Sequence, residues 1–410
     1  LGKHRLFTIA VALFVAWLDL APGAAAQGTQ AAREQVGKPV QAAEQLLKQK
    51  KLKEALAKLR EADAVPNKSP YEIYVIEATR AAVDLDAADD PAAIKALEAA
   101  LSTGILPPAE ALPRVATMAL LAYRIKDYPA VVTYAERYYN EGGGDPAPRL
   151  LMAQAYYLRD DFADAAKTSR LVLQDAEKAG KPPSETVLQM LASSEFKQGN
   201  EAGYRAALTR LVAASPKRQY WIDLLAAVQR KPGFAGGRLA LDLDRLRAAT
   251  GAMDRPDQYM DAAQLALQAG LPGDAKAFLD KGYAAGVLGK GAEAERQKRL
   301  AEMASRQSVE DIKGLAGLPK EAEGAATGLP WVRLGEAYAG YGRYDEAIAA
   351  LQKGIAKGGL DYPDDARLHL GIAYINAKRA EKAKATLAAV RAADGAQDLA
   401  QLWLIAGGVK

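Results

Sequence analysis

The chain has 410 residues, with 54 Lys and Arg against 50 Asp and Glu; the net charge of +4 is too small for a phosphate-binding surface and excludes nucleic acid as an expected partner. Half the residues are hydrophobic and only 7% aromatic, which suits many small-residue helix contacts better than a sandwich or barrel core. There is no cysteine, so disulfides, zinc–thiolate sites and cysteine nucleophiles are excluded.

In residues 1–26, Lys3 and Arg5 precede an apolar run from Leu6 to Leu18, followed by Pro22 and the small residues Ala24, Ala25 and Ala26. That is the layout of a secretory signal peptide with Gln27 as the mature N-terminus. The rival reading is a retained anchor, but the run is shorter than the ~20 residues a membrane helix needs. No Cys follows it to carry lipid. The expectation is an exported, soluble, periplasmic protein that is not a lipoprotein and has no membrane span in the mature chain.

Residues 27–313 read as an N-terminal helical array. A small residue followed by an apolar one recurs at Ala55, Ala93, Val131 and Ala165, at separations of 38, 38 and 34 residues. The unit around Tyr204 is degenerate, and the turn Pro232–Gly237 precedes a helix expected from Arg238 to Ala249. Ala275 resumes the register. Gly104, Gly286 and Gly358 each follow a reference alanine by 11 residues and precede a Leu, as a left-handed helix C-cap requires. A helix is expected over Glu293 to Ser305, and residues 314–330 read as a Gly- and Pro-punctuated linker.

Residues 331–410 carry the strongest pattern. Leu334, Gly335, Tyr338, Ala347 and Leu351 recur as Leu370, Gly371, Tyr374, Ala383 and Leu387, each 36 residues on. Gly335 and Ala347 are small where two helix backbones must approach. Asp398 is expected to cap a short terminal helix through Leu404. Trp331, Leu334, Gly335 and Tyr338, followed by the spaced Ala347, resemble the tetratricopeptide repeat, a pair of antiparallel helices in about 34 residues. The resemblance implies an all-α fold, a right-handed solenoid of about nine to ten helix pairs, acting as a binding scaffold for other proteins.

Residues that invite a chemical reading have simpler structural ones. Asp84, Asp86, Asp89 and Asp90 resemble the start of a calcium loop but lack its sixth-place Gly and closing Glu, so Asp90-Pro91 reads as a helix cap. Gly142–Gly144 lacks the Lys and Ser or Thr of a phosphate loop, and Gly233–Gly237 misses the dinucleotide pattern. Asp160 and Asp161 fall at an expected helix–helix turn. His369 reads as a surface or inter-repeat histidine. No catalytic residue, cofactor site or metal site is expected.

The candidate binding surface is positional. Tyr123, Tyr157 and Phe196 lie eight residues before Val131, Ala165 and Tyr204, one aromatic at the same place on three successive first helices. In proteins of this resemblance the first helices line a concave groove, so these rings are expected to take apolar side chains of a peptide, with Arg124 and Lys197 as donors. The competing assignment packs the rings between helices. The expected function is a non-catalytic scaffold for segments of envelope proteins, in assembly or regulation of an envelope complex such as energised outer-membrane transport. A polysaccharide-export or cell-wall scaffold, and an enzyme carried on a helical superhelix, are the alternatives.

Overall fold

A computed structural model describes residues 31–409. The expected signal peptide lies outside them. The described residues form 21 α-helices and no strand, and they divide into two compact units, the first ending at Gln198 and the second starting at Gly199.

The first unit contains α1 (Glu34–Lys48), α2 (Leu52–Asp63), α3 (Pro70–Asp86), α4 (Asp90–Ser102), α5 (Pro108–Arg124), α6 (Tyr128–Asn140), α7 (Ala147–Leu158), α8 (Phe162–Lys178) and α9 (Glu185–Lys197). Consecutive helices pack as hairpins, and α1 on α3 and α5 on α7 add contacts between alternate helices. This is the tetratricopeptide-like arrangement, in which each hairpin buries one face inside itself and the other on its neighbour.

The second unit contains α10 (Glu201–Ala214), α11 (Arg218–Gln229), α12 (Gly236–Ala249), α13 (Pro256–Gln268), α14 (Pro272–Ala284), α15 (Ala294–Gly314), α16 (Leu318–Gly324), α17 (Leu329–Gly340), α18 (Tyr344–Lys357), α19 (Pro363–Asn376), α20 (Ala380–Leu387) and α21 (Ala396–Ala406). The tightest hairpins here are α13–α14, α17–α18 and α19–α20.

One backbone device builds these hairpins. Lys50, Ala88, Lys126, Asp160, Gly270, Gly342 and Lys378, each two residues before a second helix, have φ between 55° and 73°. The next amide in each case (Lys51, Asp89, Asp127, Asp161, Leu271, Arg343, Arg379) donates to the carbonyl five residues back at 2.8–2.9 Å. That bond closes the first helix with a left-handed residue and aims the chain back along it. The fourth residue of the second helix then meets the first helix. Ala55, Ala93, Val131, Ala165, Ala275, Ala347 and Ala383 occupy that place, and all are 0% exposed.

The glycines act where the repeat pattern put them. A Cβ on Gly335 would stand 2.6 Å from Leu351 Cγ, and one on Gly371 would stand 2.3 Å from Leu387 Cδ2. Only glycine admits that approach. Gly104 and Gly286 have φ of +67° and +65°, the positive φ expected of the helix stop, whereas Gly358, at φ +75° and ψ −160°, ends α18 in a more extended conformation that is also open to glycine.

Several details differ from the sequence reading. The division falls after Gln198, and residues 314–330 lie within the second unit, where they carry α16. Asp89 caps α4 by accepting from the Ala92 amide at 3.1 Å, while Asp90 is the first helical residue. Gly395 precedes α21, and Asp398 instead accepts from Lys231 Nζ at 2.6 Å.

The second unit also departs from a simple stack, because α21 packs on α10 and α12 as well as on α19 and α20. Ala235 N–H donates to Asp394 O at 2.7 Å, and the Phe234 ring lies where a Cβ on Gly395 would be. The Gly233–Gly237 turn is therefore a docking point for the loop before α21.

Candidate functional site

In the first unit the expected binding residues occupy equivalent places near the ends of α5, α7 and α9. Tyr123, Tyr157 and Phe196 all stand in the last turn of their helix, and Tyr123 and Tyr157 lie five residues before the second helix of their hairpin begins. At two corners the ring meets the first residue of the following helix. Tyr123 and Tyr128 have centroids 6.1 Å apart, and Tyr157 stands edge-on to Phe162 at 5.7 Å. Both tyrosines are half-buried, and the Tyr157 hydroxyl lies 2.8 Å from Ser193 Oγ on α9, so this ring links two successive first helices. Phe196 is 56% exposed.

The cations beside these rings are already engaged within the chain. Arg124 Nε is 2.9 Å from Asp90 Oδ2, and Lys197 Nζ sits 5.0 Å from the Phe162 centroid. Ile125 and Leu158, both exposed, extend the apolar edge beside the rings. The line is thus a band of apolar helix ends flanked by charges, able to bury part of an apolar segment and to donate to its carbonyls.

A second cluster, unforeseen in the sequence, lies inside the second unit. α12 supplies Asp242 and Arg245, α14 supplies Asp274, α17 supplies Glu336 and α19 supplies His369. Arg245 donates to Asp242 at 2.7 Å and to Asp274 at 2.5 Å, and its guanidinium is 3.8 Å from Glu336. His369 Nε2 donates to Asp242 at 2.9 Å, while its Nδ1 is 3.1 Å from Glu336. Asp242 is 5% exposed and His369 13%.

Burial alone would disfavour the imidazolium, but the charges of Asp242 and Glu336 outweigh it and push His369 up to about 9. Burial likewise works against the Asp242 carboxylate, and His369 and Arg245 reverse that and hold it well below the usual range. The Arg245 guanidinium is raised further against the same opposing burial, first by Asp274 and then by Asp242. Both ring nitrogens of His369 face carboxylates. The two carboxylates favour the imidazolium form, in which both ring nitrogens donate. A cavity of about 250 Å³ opens beside the cluster, lined by Arg245, Asp274, Glu336 and His369 together with Phe278 and Trp403.

His369 is therefore an inter-helix residue, and a largely buried one. The signal was present in the sequence, since Leu241-Asp242-Leu243 and Leu368-His369-Leu370 each set one charge inside an apolar run. A charge so placed in a helix either points away from the core or finds a partner within it. What sequence spacing could not supply was the partner, 127 residues away.

The other motifs keep their structural readings. Gly143 packs against the Tyr138 ring, whose hydroxyl accepts from the Asp145 amide at 2.9 Å. Asp161 is the N-cap residue of α8. Among the described residues, no group of three or more His, Cys, Asp or Glu is placed to hold a metal ion. No helix among them is long and apolar enough to cross a membrane.

No family model matches the chain, and no curated protein matches it. Solved structures do. A chain from the structure of Naa15/Naa10 bound to HypK-THB aligns with 86% of this one at 14% identity and a TM-score of 0.31; the present chain spans 62% of its length. The TPR domain of P58(IPK) aligns with 85% of this chain and 99% of its own, at 16% identity and a TM-score of 0.22. Yeast Tom70 aligns with 91% of this chain and 96% of its own, at 12% identity and a TM-score of 0.21.

Proposed function

We propose that this chain is a non-catalytic scaffold that holds segments of partner proteins along the C-terminal ends of α5, α7 and α9 in its first unit. The supporting observation is the equivalence of Tyr123, Tyr157 and Phe196, each in the last turn of a first helix, with more than half of the Phe196 side chain exposed. A repeated apolar position on a helical array offers evenly spaced pockets to an extended or helical segment.

We place the scaffold in the periplasm, in assembly or regulation of a cell-envelope complex. Lys3, Arg5 and the apolar run that follows them support that placement. The test is quantitative recovery of partners from envelope extract by the purified wild type, by Phe196→Ala, and by the triple variant of Tyr123, Tyr157 and Phe196 to Ala. Helicity is checked by circular dichroism. Loss of the same partner in both variants with helicity intact is expected, and unchanged recovery by the triple variant would remove the proposal.

A further inference from the structure

The helical hairpins of the second unit are held by apolar contact: Gly335 against Leu351, Gly371 against Leu387, and fully buried alanines between. The junction where α12 meets the end of the chain is built differently. Arg238 pairs with both Asp365 and Asp394, and its guanidinium carbon sits 4.2 Å from the centroid of the Tyr362 ring. Lys231 Nζ meets Asp398 Oδ2 at 2.6 Å, and His369 meets Asp242 at 2.9 Å. These charged contacts join residues 127–167 positions apart. Apolar closure at the junction includes Phe234 and Leu239, both against Gly395.

Apolar contacts are insensitive to charge state, whereas a cluster of partly buried ion pairs is costly to desolvate and weakens when one member loses its charge. From this contrast we infer that α12 and the segment from α19 to α21 form an ionic latch, a junction that opens the second unit beside its cavity when its charges are neutralised or screened, while the hairpins stay intact.

His369 is the titrating member. It faces Asp242 and Arg245 from α12 and Glu336 from α17, with Asp365 one turn away on its own helix; Asp274 from α14 reaches the cluster through Arg245. Once the imidazolium is lost, Asp242 and Glu336 keep only Arg245 between them, already shared with Asp274. The raised value places this loss on the alkaline side, as pH rises through about 9. The other members respond to ionic strength, because Lys231, Asp398 and Asp394 retain partial exposure.

The absence of native cysteine allows paired labels to report the opening directly. Spin labels at Arg230→Cys and Ala393→Cys flank the latch, and a control pair at Arg333→Cys and Ala349→Cys spans the α17–α18 hairpin. Distances are measured in the full chain at pH 7 and pH 10, and at low and 1 M salt. The expected result is one short distance across the latch at pH 7 and low salt, a longer and broader one at pH 10 or high salt, and an unchanged control. Adding Arg238→Ala is expected to lengthen the latch distance already at pH 7, and His369→Gln to remove its pH dependence. An unchanged latch distance in the otherwise wild-type chain under every condition would overturn the inference. So would a control pair that spreads together with the latch, because the hairpins would then be opening too.

Discussion

Two ion pairs show how single residues of this chain are held. Glu72, 2% exposed, receives the Arg33 guanidinium at 2.8 Å and the Ser69 amide at 2.9 Å, which completes the cap of α3 and ties it to the start of α1. The Arg33 hydrogen bonds, against burial, take its pKa from an ordinary 4.5 to about 2. A depressed carboxylate stabilises the fold above its ordinary value and loses that contribution as pH falls toward 2. Thermal unfolding between pH 5 and 2 is therefore expected to show a wild-type decline that is shallower in Glu72→Gln, whose side chain does not titrate. His369 works in the opposite sense. Raised from 6.5 to about 9, it contributes fully below 6.5 and loses that contribution as pH rises through 9. Melting temperatures of His369→Gln are expected to lie below wild type at pH 6 and to converge with it by pH 10.

At the scale of the helix pair, much of the architecture is legible in the sequence because it rests on local, repeated constraints. A small fourth residue in the second helix, a glycine opposite a leucine and a glycine at the helix stop all leave marks at fixed spacing. The hairpin turn leaves a weaker mark, since its left-handed position is filled by Lys, Ala, Asp or Gly. Replacing Ala88, at φ 55°, with glycine relieves a backbone cost of about 1–2 kcal/mol and gives back about 0.4–1 kcal/mol to the unfolded chain. The expected net gain is roughly 0.5–1 kcal/mol, read by denaturant unfolding. Gly371→Ala should act in the other direction. Its Cβ would overlap Leu387, and overpacking of that kind costs about 1–3 kcal/mol.

At the scale of the whole molecule, the contacts that the sequence hides are those between distant segments. Arg238 and Asp394 are 156 residues apart, and no periodicity connects them. The expected linker at 314–330 reads as punctuation because of its glycines and prolines, yet short segments of such composition also form helices such as α16 when a buried Ala322 and Leu315 hold them in a core. Removal of the Arg238 guanidinium strands Asp365 and is expected to destabilise the junction by about 1–3 kcal/mol, less than a fully buried pair because Arg238 is partly exposed. Amide exchange should then rise in α12 and α21 together and stay at wild-type levels in the first unit.

The binding proposal is tested most directly by a photo-crosslinking phenylalanine analogue at position 196, compared with the same analogue at position 171, an exposed leucine on the second helix α8. Irradiation in envelope extract is predicted to give a discrete crosslink to a segment of another protein from position 196 and none from 171. Equal crosslinking from both positions, or none from 196, would contradict a working surface at the ends of these first helices.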